Sequence, residues 1–129
     1  MTLLLDTQVW LWMLTTPERL SPVARGIVED EGSDLLLSAA SSWEISIKNA
    51  LGKLPLPEPP DLFVPSRISA TGVRPVAVEH AHALRVATLP MHHRDPFDRL
   101  LVAQAIELSA PLITADQALA AYEIDIVDA

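Results

Sequence analysis

The chain has 129 residues, half of them hydrophobic, no cysteine, and 9 Lys+Arg against 17 Asp+Glu, a formal charge of −8. That length fits one compact domain over residues 1–129; the lack of cysteine excludes a disulfide framework or thiolate metal site, and no apolar run approaches the ~18 residues of a membrane span. The acidic balance argues against nucleic-acid binding through a broad basic face. It does not exclude a nuclease whose carboxylates hold cations, since two divalent ions would bring −8 to −4. TLLLD at the N-terminus lacks the basic region of a signal peptide, so a cytoplasmic location is expected.

TLLLD (2–6) reads as a buried strand with an aspartate at its C-terminal end. A helical pattern follows from Thr7 to about Leu14. Every position of VWLWML (9–14) is apolar, more than one sheet can cover. Some of Trp10, Trp12, Met13 and Leu14 are therefore expected to form an exposed partner interface; the alternative is a helix wedged between the sheet and the next helix. Pro22 to Glu31 reads as a helix with Ser21 as cap and Gly32 as stop. DLLLS (34–38) repeats the strand pattern and leads through AASS into a helix from Ser42 to Leu51, ended by Gly52.

LPLPEPP (54–60) reads as an extended connector, because its prolines break a helix. RPVAV (74–78) is a third strand and Glu79 to Thr88 a helix. Asp95 and Pro96 then have the look of an N-cap and first helical residue for a helix to Leu108. PLITAD (111–116), a short helix QALAAY and the strand IDIV (124–127) complete the chain. Strands that alternate with helices and are apolar along their whole length imply a parallel sheet covered on both faces. The expected fold is a three-layer α/β/α sandwich with a mainly parallel central sheet. The four glycines are scattered at 26, 32, 52 and 72, which disfavours P-loop and dinucleotide folds.

Ligands of open α/β sheets bind beyond the carboxyl ends of the strands. Four acids can reach that edge: Asp6 after the first strand, Glu44 in the first turn of its helix, Asp98 in the first turn of the 96–108 helix, and Asp116 after PLIT. Each also has an ordinary explanation. Asp6 and Asp116 could cap the helices that follow, Asp98 could favour the helix dipole, and Glu44 could pair with Lys48 at i+4. Together, without counter-charge, they would repel in a partly buried cleft, so the cluster implies bound cations or raised pKa values. Oxygen-only ligands favour Mg²⁺ or Mn²⁺, and the chemistry that follows is phosphodiester hydrolysis. A hard oxygen site does not need imidazole, so His92 and His93 are read as a solvated loop pair. A phosphoaspartyl hydrolase would want a second aspartate two residues after Asp6, where Gln8 stands.

LLLDT (3–7), SAASSWEISIKNALGKLPLP (38–57), HHRDPFDRLLVAQA (92–105) and LITAD (112–116), in that order, resemble the PIN-domain ribonucleases, in particular the VapC-like toxins of type II toxin–antitoxin pairs. The resemblance covers essentially the whole chain and selects Asp98 over Asp95, with Thr114 as a neighbouring hydroxyl. It implies a Mg²⁺- or Mn²⁺-dependent endoribonuclease, an RNA substrate, a homodimer and a cognate antitoxin. In that reading Asp6 and Asp98 are the central metal ligands, and Glu44 and Asp116 hold a second ion or a coordinated water. Lys48 and Arg99 are candidate RNA phosphate contacts, with local ion pairs as their alternative. A catalytically silent PIN-like module that binds RNA or protein is the competing function.

Overall fold

The computed structural model describes residues 1–129. Five strands, β1 (Thr2–Leu5), β2 (Asp34–Ser38), β3 (Arg74–Val76), β4 (Leu112–Thr114) and β5 (Ile126–Asp128), form one sheet in the order β3-β2-β1-β4-β5. Every pairing is parallel. Six helices flank it: α1 (Thr7–Thr15), α2 (Pro22–Glu29), α3 (Ala39–Ala50), α4 (Pro60–Thr71), α5 (His80–Arg85) and α6 (Pro96–Leu108).

Side chains alternate across a strand, so a strand buried on both faces must be apolar throughout. Leu3, Leu5, Leu35, Leu37 and Ile113 point into one core, completed by Val9 and Trp10 of α1 and by Phe63 and Val64 of α4. Leu4, Leu36 and Leu112 point into the other, against Leu101, Val102 and Ala105 of α6. The pairing of Leu3 with Leu35 and of Leu4 with Leu36 keeps both sets aligned. A slip of one residue would exchange the cores. The three-layer sandwich expected from the sequence is the observed architecture.

Local chemistry sets the helix boundaries. The Ser21 hydroxyl accepts the Ala24 N–H at 3.1 Å to open α2. The Asp95 carboxylate accepts the N–H groups of Phe97 and Asp98 at 2.8 and 3.3 Å to open α6, with Pro96 at its first position. Asp95→Ala is expected to cost about 0.5–2 kcal/mol, the usual loss for such a cap, measurable as a lower midpoint in urea.

One helix goes beyond the expected elements, and two expectations need correction. The segment after the proline-rich connector is a helix, α4, although Pro65 lies inside it. Pro65 removes one backbone bond, but burial of Phe63 and Val64 and the left-handed cap at Gly72 (φ 70°) hold the helix. Helix α3 starts at Ala39, capped by Ser38, so Glu44 lies in its second turn. Trp10 is 0% exposed, in the core. Trp12, Met13 and Leu14 are partly buried and pack against that same core. Trp10 therefore leaves the candidate interface, whereas Trp12, Met13 and Leu14 keep part of their surface exposed; the most exposed large apolar side chains lie elsewhere, among them Trp43, Leu84 and Met91.

Candidate active site

Because all strands are parallel, their carboxyl ends share one edge. The chain runs outward from β1 to β2 and β3, then returns to place β4 on the other side of β1. The order thus reverses between β1 and β4, where open α/β sheets part to make a crevice. Asp6 follows β1 there, its N–H donating to the Ile113 carbonyl of β4 at 3.0 Å. Asp116 follows β4. From the flanks, α3 brings Glu44 and the first turn of α6 brings Asp98. All four line one cavity of about 460 Å³, joined by Asp95, Lys48 and Lys53.

The ordinary roles of these acids are real and coexist with their convergence. Asp6 caps α1, accepting the Gln8 N–H at 3.1 Å. Its other oxygen accepts the Thr114 hydroxyl at 2.6 Å, and Thr114 in turn accepts the Asp116 N–H at 3.0 Å. Asp116 caps a short 3₁₀ turn, Gln117–Ala121, through the Ala118 N–H at 3.0 Å. Glu44 is buried and takes a hydrogen bond from Lys48. The carboxylates of Asp6, Glu44 and Asp116 are thereby oriented by backbone or side-chain donors, and lone pairs remain for further ligands.

The electrostatics are those of an acidic pocket short of positive charge. Burial raises the Asp6 pKa above the ordinary value; the bonds from Thr114 and Gln8 oppose the rise, and the charges of Glu44 and Asp116 add to it. Burial, then the charges of Asp6, Asp95 and Glu44, push Asp98 up to about 7, with His93 opposing. Five carboxylates face two lysines around the cavity. Lys48, its pKa raised chiefly by its hydrogen bond to Glu44, is already engaged. The donor set is hard oxygen, which suits a hard divalent cation.

Arg99 stands apart from this cavity, contrary to its candidacy as a phosphate contact. It is 8% exposed, and its guanidinium donates to the carbonyls of Pro90 (2.9 Å), Val86 (3.2 Å) and Leu89 (3.5 Å) and to the Tyr122 hydroxyl (3.2 Å). It fastens the 86–90 segment to α6. Arg99→Met is expected to destabilise the protein by about 2–4 kcal/mol, since several charge-assisted bonds are lost and the carbonyls are left wanting; the measure is a denaturant titration. Arg99→Lys should recover little, because one ammonium cannot span the set.

One residue lining the cavity, Lys53, and one neighbour of its acids, His93, go beyond the residues that the sequence singles out. Lys53 lies just past the Gly52 turn, and only the fold shows that this turn overhangs the acids. His93, read as solvated, is half-buried with Nε2 at 2.8 Å from Asp116 Oδ2 and 3.5 Å from Asp98 Oδ2. Its spacing from Asp98 was visible, but the proximity of Asp116 is tertiary. His92 is exposed and stacks edge-on against Tyr122, with ring centroids 5.0 Å apart.

Fold and site together define an open, parallel α/β domain with an acidic crevice at its switch point. Comparison with known proteins narrows this class. The PIN domain family model matches residues 3–125, and the chain belongs to that family. Ribonuclease VapC22 of Mycobacterium tuberculosis (strain ATCC 25618 / H37Rv) is 33% identical over 123 residues, covering 94% of this chain and 92% of that protein. Ribonuclease VapC16 of the same organism is 53% identical over 58 residues, covering 45% of this chain but only 41% of that protein. Among solved structures, VapBC2 from Rickettsia felis, bound to a DNA fragment from its promoter, shares the fold with a TM-score of 0.71 at 12% identity, covering 99% of this chain and 98% of that one.

Proposed function

We propose that the protein is a divalent-metal-dependent endoribonuclease, the toxin of a type II toxin–antitoxin pair. The observation that carries this reading is the convergence of Asp6, Glu44, Asp98 and Asp116 in one cavity at the switch point of the sheet. The kinship with two proteins named ribonucleases supplies the substrate class.

Asp6 and Asp98 would hold the principal ion, Mg²⁺ or Mn²⁺, with Glu44 and Asp116 completing the site. A hard cation there supplies charge that favours hydroxide over water near neutral pH and stabilises the oxygens of a phosphodiester under attack. In the overall reaction a water oxygen joins phosphorus and the P–O3′ bond breaks, leaving a 3′-hydroxyl and a 5′-phosphate. The chain's own groups position the parts. The Thr114 hydroxyl and the Gln8 N–H fix the two oxygens of Asp6. Lys53, exposed at the rim, is placed to meet an RNA phosphate, whereas Lys48 is held by Glu44.

An antitoxin has a natural seat in this reading. A groove of about 280 Å³, lined by Leu11, Leu14, Leu54, Leu56 and Phe63, adjoins the acidic cavity and shares Gln8, Leu11 and Leu54 with it. A segment with apolar side chains for the groove and one basic side chain for the acids would fill both. No helix of the structure is long and apolar enough to cross a membrane.

The test is to incubate the purified protein with total RNA, tRNA and rRNA in Mg²⁺, Mn²⁺ or EDTA and to map the cut ends. Discrete cuts with metal and none with EDTA are expected. Binding of RNA without cleavage in any metal would replace this reading by the silent module.

A further inference from the structure

Three polar groups of His93 are committed at once. Its backbone N–H donates to the Tyr122 hydroxyl at 3.0 Å. Its ring Nδ1 accepts the Asp95 N–H at 3.0 Å. Its ring Nε2 lies 2.8 Å from Asp116 Oδ2 and 3.5 Å from Asp98 Oδ2. The ligand atoms of His93, Asp98 and Asp116 all fall within 4.8 Å of one another, a spacing that invites a mixed nitrogen and oxygen metal site.

The hydrogen bonds decide against ligation by His93. A ring nitrogen that accepts an N–H cannot itself carry a proton, and neutral imidazole has one proton to place. With Nδ1 turned to the Asp95 amide, that proton sits on Nε2 and is aimed at Asp116. Neither nitrogen then has a lone pair free for a cation. We propose that His93 is a positioning residue: a fixed Nε2–H donor that orients the Asp116 carboxylate and holds it beside Asp98.

The surroundings fit that task. The other oxygen of Asp116 already accepts the Ala118 N–H, so His93 fixes the remaining rotation of the carboxylate. The loop that carries His93 is itself immobilised, since Tyr122 receives both the His93 amide and the Arg99 guanidinium, and Arg99 grips the carbonyls before the loop. Outer partners that orient metal-binding carboxylates typically change metal affinity or activity by about 10–100-fold when removed.

The inference rests on the cavity being a metal centre, and the experiment separates the two. Nitrogen-15 NMR of the imidazoles, with and without Mg²⁺, reads the tautomer; calorimetry with Mn²⁺ reads affinity without RNA. Glutamine places an amide N–H near the position of Nε2, whereas asparagine offers an acceptor near Nδ1 but no donor to Asp116. The expected result is a proton on Nε2 in both metal states, Mn²⁺ binding weakened about 10–100-fold in His93→Ala and His93→Asn, and most of that loss recovered in His93→Gln. A proton on Nδ1, coordination of the metal by Nε2, recovery by asparagine instead of glutamine, or undiminished affinity in His93→Ala would each overturn the positioning role alone. Wild-type protein that binds no Mn²⁺ or Mg²⁺ would overturn the metal centre and this role together.

Discussion

Asp98→Asn is expected to lower the rate of RNA cleavage by at least about 10³-fold and, at neutral pH without metal, to leave the protein more stable than wild type. The first effect follows from the loss of a charged ligand: metal-ion stabilisation of the transition state is worth several kcal/mol, and each 1.36 kcal/mol is about tenfold in rate. The second follows from the site's own repulsion. Asp98 shares a partly buried cavity with Asp6, Asp95 and Glu44, and holding it ionised there is costly, as its pKa of about 7 records. Asparagine fills the same volume without the charge. The capping bond at this position comes from the Asp98 backbone N–H to Asp95, so it survives the substitution. Cleavage of a defined RNA by the purified variant, beside urea titrations in EDTA, checks both halves. Wild-type activity in the variant would remove Asp98 from the site. A loss of activity accompanied by a lower urea midpoint would point to simple misfolding instead.

How much of this site was legible depends on where each signal resides. Strands β1 and β2 and helix α6 were readable because their cues are local: unbroken apolar runs for the first two, an Asp-Pro cap and a long amphipathic stretch for the third. Helix α4 was hidden by Pro65 and by an apolar pattern too weak to show a face, and only the tertiary burial of Phe63 and Val64 reveals why it forms. Helix α1 was legible only in part. Its all-apolar run suggested a surface left over for a partner, and the core consumes Trp10 wholly but Trp12, Met13 and Leu14 only in part.

The acids were legible as a set because parallel topology sends every strand end to one edge, and their types and order did the rest. Arg99 was not legible. Its partners Val86, Leu89 and Pro90 offer only backbone carbonyls, which no side-chain pattern announces. His93 belongs to the same class, since its contact with Asp116 spans 23 residues. Residues whose role is to hold others in place are defined by tertiary contacts, whereas those that carry charge to the site are betrayed by their chemistry.

Divalent metal is expected to stabilise the fold, and to do so more at high pH than at low. The carboxylates of Asp6, Glu44, Asp98 and Asp116 are assembled only in the folded chain, so a cation at the cavity binds that state in preference to the unfolded one; at about 100 times its dissociation constant it adds roughly 2.7 kcal/mol per site. The pH dependence comes from Asp98, whose pKa is about 7 in the fold against an ordinary 3.8, with Asp6 shifted in the same direction. Between those values the folded protein binds more protons than the unfolded chain, so metal-free stability is greatest in mild acid and falls as pH rises through about 7. A bound cation supplies the positive charge that the proton supplied, and it competes with that proton. The melting temperature in EDTA should therefore drop from about pH 5 to about pH 8, while in Mg²⁺ or Mn²⁺ the drop should flatten and the metal-induced gain should grow. Matched ionic strength in NaCl should reproduce little of the gain, because screening acts on every exposed charge and site binding on these four. The control is a protein with Asp6 and Asp98 both changed to Asn, melted in the same series of buffers. It should show neither the metal-induced rise nor the fall with pH, and equal shifts in the two proteins would place the ions elsewhere on the surface.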